Sequence, residues 1–359
     1  MLIVIRADAS QLIGSGHIMR CLTLAEQLKA KGADIYFICR DFPGNLTEDI
    51  KSKGYNVKLL QPIKNSKLNY NREEKWLGTS TSVDVEETAS VLRNFQKPID
   101  WLIVDHYGID NYWESSIRNW TKKIMVIDDL ANRSHDCELL LDQNLFDHPD
   151  SRYSHLTSKG CKMLLGPHYA LLRAEFSKAR LSSPQRDGRI QRVVIFYGGS
   201  DLSNETLKTL YALEKLPLNV DIIVGRINPN IKEIEEFVTK HEHMRLFCNV
   251  ENMAQLMANA DLAIGASGST AWERCCLGLP MILITIAENQ EDIARNLEKN
   301  QCAIYLGKNT EVSCSEVSKV VRDLMLTPPR VERLGLNAGK LVDGYGADRV
   351  SNIILGRTD

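Results

Sequence analysis

The sequence predicts two doubly wound α/β domains in tandem, each a parallel sheet covered by helices on both faces. Three observations predict it. Short apolar, β-branched runs alternate with stretches of helical periodicity along the whole chain. At 359 residues the chain exceeds what one ordinary core takes up. A polar segment at residues 181–188, containing Pro184 and Gly188, separates two regions that share the same rhythm.

Residues 2–5 are the first strand. The opening stretch has neither a basic region nor a small-residue cleavage site, so it reads as a strand rather than a leader. A helix follows over 17–31, with Ile18, Cys21, Leu22, Ala25 and Leu28 on one face and Gly32 as its stop. A strand at 34–39, a helix at 45–53 ended by Gly54 and a strand at 56–60 continue the alternation. The polar stretch 61–78 interrupts it and reads as an insertion. A helix at 84–95 then leads into strands at 100–104, 123–127 and 139–141. Beyond the polar linker, strands are expected at 192–197, 221–224, 244–248, 262–264, 281–284 and 303–306. Helical patterns separate them, and a last helical stretch runs from about 331 to 355. The expected domains are 1–181 and 189–359, with the last helix able to pack back on the first.

A net charge of −2 removes the electrostatic case for a nucleic-acid partner. The longest apolar runs, such as 280–287, are far too short to span a membrane. None of the nine cysteines forms a Cys-x-x-Cys pair, and Cys21, Cys39, Cys275 and Cys276 fall inside predicted elements. They are expected to be reduced thiols of a cytoplasmic protein. His241 and His243 have no Cys or carboxylate cluster beside them and read as solvent-exposed, so no metal is expected.

In open parallel sheets, ligands bind beyond the carboxyl ends of the strands. Those ends are polar here: Arg6 and Asp8; Arg40 and Asp41; Asp105, His106 and Tyr107; Asp128 and Asp129; Asp142, Gln143 and Asn144. A single Asp would read as a helix or turn cap, whereas the whole set points to a site. Gly14-Ser15-Gly16-His17 opens the first helix, where glycines admit a ligand and the helix end offers free N–H groups. The glycines come too late, and the third is missing, for a dinucleotide fingerprint. The positive helix end disfavours imidazolium, so His17 reads as a neutral general base. The plain alternative is a His bonded to a loop carbonyl.

In the second half, the strand at 262–264 runs into Gly265-Ala266-Ser267-Gly268-Ser269-Thr270, with Glu273 a turn inside the next helix. Such a turn offers N–H and hydroxyl donors to a diphosphate, and the carboxylate can accept both hydroxyls of a ribose. No Walker lysine is present, which excludes phosphoryl transfer of the P-loop kind. The plain alternative is a tight turn capped by Ser267 or Ser269. Asn289-Gln290 and Gly198-Gly199-Ser200-Asp201 stand at two further strand-to-helix junctions and add to a phosphate-bearing ligand.

These motifs resemble the GT-B superfamily, in the branch that contains the UDP-N-acetylglucosamine transferase of peptidoglycan synthesis. The matching residues are Gly14 through His17, Gly268-Ser269-Thr270 with Glu273, Gly278-Leu279-Pro280, and Asn289-Gln290. The start Ile5-Arg6-Ala7-Asp8 with Gly14, Gly16, His17, Arg20, Cys21 and Leu22 is similar to the UDP-sugar hydrolases of the pseudaminic-acid pathway. So are Asp142-Gln143-Asn144, residues 166–176, Gly198 through Asp201, and residues 269–280. The likeness covers essentially the whole chain, with 61–78 longer than a minimal version.

The resemblance implies a GT-B fold of two Rossmann-like domains facing a central cleft, which would close on the ligand. It implies cleavage of UDP-2,4-diacetamido-2,4,6-trideoxy-β-L-altropyranose by water at the anomeric carbon, with inversion and without metal or cofactor. His17 would take the water's proton, while Gly268, Ser269 and Thr270 hold the diphosphate. Glu273 would bind the ribose and the backbone around Val250 the uracil. Asn289 and Gln290 would face the sugar, as would Asp8, Gly14, Gly16, Tyr107, Asn144, and Tyr169 with Arg173 from the first domain. The partner is then a UDP-sugar, with no nucleic acid and no membrane, and the chain is expected to be a monomer. A glycosyltransferase of the same fold and a non-catalytic nucleotide-sugar sensor are the rival readings. The first is disfavoured in its membrane-associated form by the lack of a basic-apolar block.

Overall fold

The computed structural model describes residues 1–10, 13–61, 76–183 and 186–357. Most of the expected insertion at 61–78 lies outside the described residues. The chain divides into two compact units. One comprises Met1–Asn144, His148–Leu171 and Gly346–Asp359, the other Leu145–Asp147 and Leu172–Tyr345.

The first unit is built on β1 (Leu2–Ala7), β2 (Asp34–Arg40), β3 (Asn56–Leu60), β4 (Trp101–Asp105), β5 (Ile124–Ile127), β6 (Leu139–Asp142) and β7 (Lys162–Leu165). These strands form one parallel sheet in the order β3-β2-β1-β4-β5-β6-β7. Every residue of β1 is buried, and its side chains alternate between two cores. Ile3, Ile5 and Ala7 enter one with Ile18, Leu22 and Leu28 of α1 (Gly16–Ala30), while Leu2 and Val4 enter the other with Leu92 and Trp113. Burial on both faces is why these strands read as continuous apolar runs rather than alternating ones.

The final helix, Gly346–Leu355, belongs to this unit and packs on α1. Lys31 Nζ lies 2.7 Å from Asp348 Oδ1, and Trp101 Nε1 donates to the Ile354 carbonyl at 3.0 Å. Gly346 permits the approach, because a Cβ there would sit 2.3 Å from the Ala170 carbonyl oxygen.

The second unit carries β8 (Arg192–Phe196), β9 (Asn219–Val224), β10 (Met244–Cys248), β11 (Leu262–Gly265), β12 (Met281–Thr285) and β13 (Ile304–Lys308), all parallel, in the order β10-β9-β8-β11-β12-β13. One core, including Val193, Ile195, Ile222, Ile264, Ile282, Val321 and Leu334, fills one face. The described residues of the segment expected from sequence to be the boundary, 181–183 and 186–188, lie inside this unit. Arg186 anchors it by donating to the carbonyls of Leu277 (2.6 Å), Ala260 (2.9 Å), Met257 and Ala258 (both 3.2 Å). The helix Ala174–Ser182, expected in the first domain, belongs to the second unit for a similar reason. Arg180 donates to the carbonyls of Cys276 (2.6 Å) and Gly339 (2.9 Å). Among the described residues no helix is long and apolar enough to cross a membrane.

Candidate active site

Each sheet reverses its winding at one pair of neighbouring strands, β1 beside β4 and β8 beside β11. Crevices of this kind are where doubly wound sheets take ligands.

In the first unit, register pairs Ala7 with Asp105, so the segment after β1 meets the end of β4. After β1, Gly14, at φ +79°, donates to the Ser10 carbonyl at 2.8 Å. Ser15 then caps α1 without a side-chain bond, and no acidic residue occupies the first turn. His17 is the second residue of the helix, buried, with Nδ1 2.5 Å from Asp105 Oδ1. Arg20, one turn on, grips the same carboxylate by Nε (2.6 Å to Oδ2) and Nη2 (2.7 Å to Oδ1), and reaches Asp129 Oδ2 at 3.1 Å. The Asp105 carboxyl is buried, which pushes its pKa up, yet Arg20 and then His17 outweigh burial and hold it well below the usual carboxylate range. An ionised Asp105 accepts from Nδ1–H, which assigns that tautomer to His17 and leaves Nε2 as the atom able to accept a proton. The Tyr107 ring stands edge-on to His17 with centroids 4.6 Å apart, and Trp76 stands edge-on to Tyr107 at 5.4 Å.

Asp8 departs from expectation. It has no exposed surface, and Oδ1 accepts from Arg6 (2.6 Å) and from the Arg40 amide (2.7 Å). His106 Nε2 lies 3.2 Å from Oδ2 without hydrogen-bond geometry, and burial disfavours the charged form of that imidazole. Arg6 and Arg40 in turn share Asp84 Oδ2 at 2.8 and 2.7 Å. Asp8 is thus part of an internal ion cluster under the strand ends, not an available sugar contact. Asn144 is buried and donates its amide to Asp142 Oδ1 at 2.9 Å. Burial lifts the Asp142 carboxyl to about 7, with Asn144 pulling against it and Asp129 adding to it. Tyr169 packs into the core that holds Leu171 and Val350.

In the second unit, register sets Gly265 beside Phe196, and the segment after β11 turns into the helix Thr270–Cys276. Ser267 is fully buried and donates to the Gln290 carbonyl at 2.9 Å, so it fixes the loop rather than capping the helix. Ser269 occupies the cap position, makes no side-chain cap bond and is exposed; Gly268 and Thr270 are partly exposed. Arg173 is not contributed by the first unit. It pairs with Glu175 (2.8 Å) and Glu273 Oε1 (3.3 Å), all within the second. Burial raises the Glu273 carboxyl, with Arg173 as the main counterweight. Its Oε2 is out of solvent and has no hydrogen-bond partner among the described residues, a buried acceptor without a donor there. Gln290 accepts from the Ile286 amide through Oε1 at 3.1 Å, which leaves its NH₂ as the donor face, while Asn289 is exposed and Val250 partly buried. Among the described residues no three His, Cys, Asp or Glu side chains are grouped to hold a metal ion.

The sequence named Asp105 as a strand-end residue and Arg20 as a motif member, but not their joint hold on His17. The i, i+3 spacing of His17 and Arg20, which puts both on one helix face, was the available signal.

Residues 193–340 match the model of the glycosyltransferase family 28 C-terminal domain. The chain is 29% identical to the UDP-2,4-diacetamido-2,4,6-trideoxy-beta-L-altropyranose hydrolase of Campylobacter jejuni, over 83% of this chain and 97% of that one. It is 24% identical to the spore coat polysaccharide biosynthesis protein SpsG of Bacillus subtilis, over 97% and 96% of the two chains. The crystal structure of MurG from Acinetobacter baumannii superposes with a TM-score of 0.64 at 11% identity, over 99% of both chains. Two parallel doubly wound sheets, the family 28 match over residues 193–340 and the likeness to MurG show a GT-B type fold, and the sequence is related to that of the UDP-diacetamido-trideoxy-altropyranose hydrolase.

Proposed function

We propose that the chain hydrolyses a UDP-sugar, releasing UDP and the free sugar by attack of water at the anomeric carbon. The observation that carries this reading is the His17–Asp105 pair at the winding reversal of the first sheet. Asp105 holds the Nδ1–H tautomer, and His17 Nε2 takes the proton as the water oxygen bonds to C1. The C1–O bond breaks with inversion, and its electron pair leaves on the diphosphate. Backbone N–H groups of the Gly268-Ser269-Thr270 turn and the uncommitted Ser269 cap receive that charge. No metal takes part in the proposed reaction.

The ribose hydroxyls donate to Glu273, whose Oε2 has no donor among the described residues, and the backbone near Val250 meets the uracil. Asn289 and the Gln290 NH₂ face the sugar, with Gly14, Gly16, Tyr107, Asn144 and Tyr169 as further contacts. The substrate proposed is UDP-2,4-diacetamido-2,4,6-trideoxy-β-L-altropyranose, in line with the Campylobacter relative.

The family 28 match and the MurG likeness support a second reading, transfer of the sugar to an acceptor hydroxyl. Incubating the purified chain with this UDP-sugar and no acceptor separates the two. Hydrolysis predicts steady UDP release that His17→Phe abolishes while keeping UDP affinity. Release that starts only on adding an acceptor refutes hydrolysis, and equal release by both proteins removes His17 from its role.

A further inference from the structure

Four arginines are buried in the described part of the chain: Arg6, Arg20, Arg40 and Arg274. The first three each lie against carboxylates, Arg6 on Asp8 and Asp84, Arg20 on Asp105 and Asp129, Arg40 on Asp84 and Glu87. Arg274 has no carboxylate within ion-pair distance among the described residues. Its neighbour Glu273 is engaged by Arg173 instead. Among those residues its only hydrogen-bond partners are two carbonyls, Ala266 O from Nη1 and Phe196 O from Nη2, both at 3.0 Å, and its Nε has none. The passage for this guanidinium exists because residue 265 is glycine. A Cβ there would lie 2.6 Å from Arg274 Nη2 and 1.9 Å from the Phe196 oxygen. A cation this deep costs several kcal/mol unless an anion offsets it. Burial pushes its pKa down to about 10, so at neutral pH the charge is retained.

We propose that Arg274 is an electrostatic positioning residue whose counter-charge is the ligand's diphosphate. Held under the loop, it fixes the carbonyls of Phe196 and Ala266 inward and places a permanent positive charge behind Gly268-Ser269-Thr270. The idea rests on the reading that this loop takes the diphosphate of UDP. It adds what the loop sequence alone does not contain, a full cation supplied from beneath by the helix after the loop.

The test is calorimetric titration of UDP and of uridine into the wild type, Arg274→Lys and Arg274→Gln. Lys keeps the charge; Gln keeps a donor for one carbonyl but no charge. Arg274→Gln should weaken UDP by about thirtyfold and uridine by less than about threefold, while Arg274→Lys keeps UDP within about fivefold. Equal UDP affinity in Lys and Gln overturns the proposal, as does parallel weakening of UDP and uridine, which marks a purely structural role. If neither Arg274→Gln nor Arg274→Met folds while Arg274→Lys does, the charge serves the fold and the proposal is likewise overturned. Failure of the wild type to bind UDP refutes the underlying reading instead.

Discussion

Asp105→Asn is the substitution that most directly tests how His17 is set. Asp105 Oδ1 faces His17 Nδ1 (2.5 Å) and Arg20 Nη2 (2.7 Å), and Oδ2 faces Arg20 Nε (2.6 Å). All three are donors, so a carboxylate satisfies every one. An Asn has one acceptor and one NH₂, and either orientation turns that NH₂ on a donor. At the Oδ1 position the NH₂ meets His17 Nδ1 and Arg20 Nη2 while the amide oxygen keeps Arg20 Nε, and of these donors only His17 can turn acceptor, by changing tautomer. His17 can then accept only at Nδ1, which moves its proton to Nε2 and removes the base. The same change at the His-orienting Asp of a serine protease lowers kcat about 10⁴-fold. Here a loss of about 10²- to 10⁴-fold is expected, or about 3–5 kcal/mol of transition-state stabilisation. Arg20 retains Asp129, so the fold should survive with a loss of about 2–4 kcal/mol. Initial rates of UDP release, with UDP affinity measured in parallel, report the two effects separately. If Asp105→Asn keeps wild-type kcat while His17→Phe is dead, the tautomer argument is wrong.

Glu273→Gln should weaken UDP and uridine alike, by about tenfold, because the ribose is common to both. Selective loss of UDP would contradict the ribose assignment. His135 gives a pH signature. Burial works against its charge, but Asp128 and Glu114, the latter 2.7 Å from Nδ1, outweigh burial and raise its pKa to about 9. That is above the unfolded value of about 6.5, so the contribution is complete below pH 6.5 and is lost as pH rises through about 9. Its upper limit is about 3 kcal/mol. The urea midpoint of the wild type should fall between pH 7 and 10 more steeply than that of His135→Gln, and identical slopes would refute the assignment.

Most strands are legible in the sequence because burial on both faces leaves unbroken apolar runs, as in residues 2–5 and 281–284. β7 is not. It is a four-residue edge strand beginning with Lys162, half out of the core, with neither length nor alternation to mark it. The stretch expected as one helix from about 331 to 355 is two, Pro328–Leu341 and Gly346–Leu355, broken where Gly344 adopts φ +89°. Pro328 and Pro329 open the first of them, the place in a helix where proline is best tolerated. At the site, His17 and the Gly265–Thr270 turn stand out because helix starts and glycine turns are local patterns. The partners do not. Asp105 lies 88 residues from His17 and meets it only through strand register. Asp8 looks like the other strand-end acids, and only its burial with Arg6 and Arg40 shows that its charge is already used.

Under the proposed reaction the two winding reversals carry opposite electrostatic demands, and the buried charges are biased accordingly. Around His17, Arg20 faces two carboxylates, Asp105 and Asp129, which leaves that group net negative. A proton arriving on the imidazole is therefore met by charge already in place. Behind the Gly268-Ser269-Thr270 turn the bias is reversed, since Arg274 has no carboxylate within ion-pair distance among the described residues and its neighbour Glu273 is held by Arg173. Negative charge arriving on a leaving diphosphate would meet a cation that no described carboxylate neutralises. Heterolysis of a glycosyl–phosphate bond develops both charges at once, so fixed dipoles and ions of the right sign for each lower the barrier without reorganising. A binding-only protein gains from the second bias, which strengthens diphosphate affinity, but has no use for the first. The net negative cluster at His17 is thus the part of the charge arrangement that favours catalysis over mere recognition, and Asp105→Asn is aimed at that part.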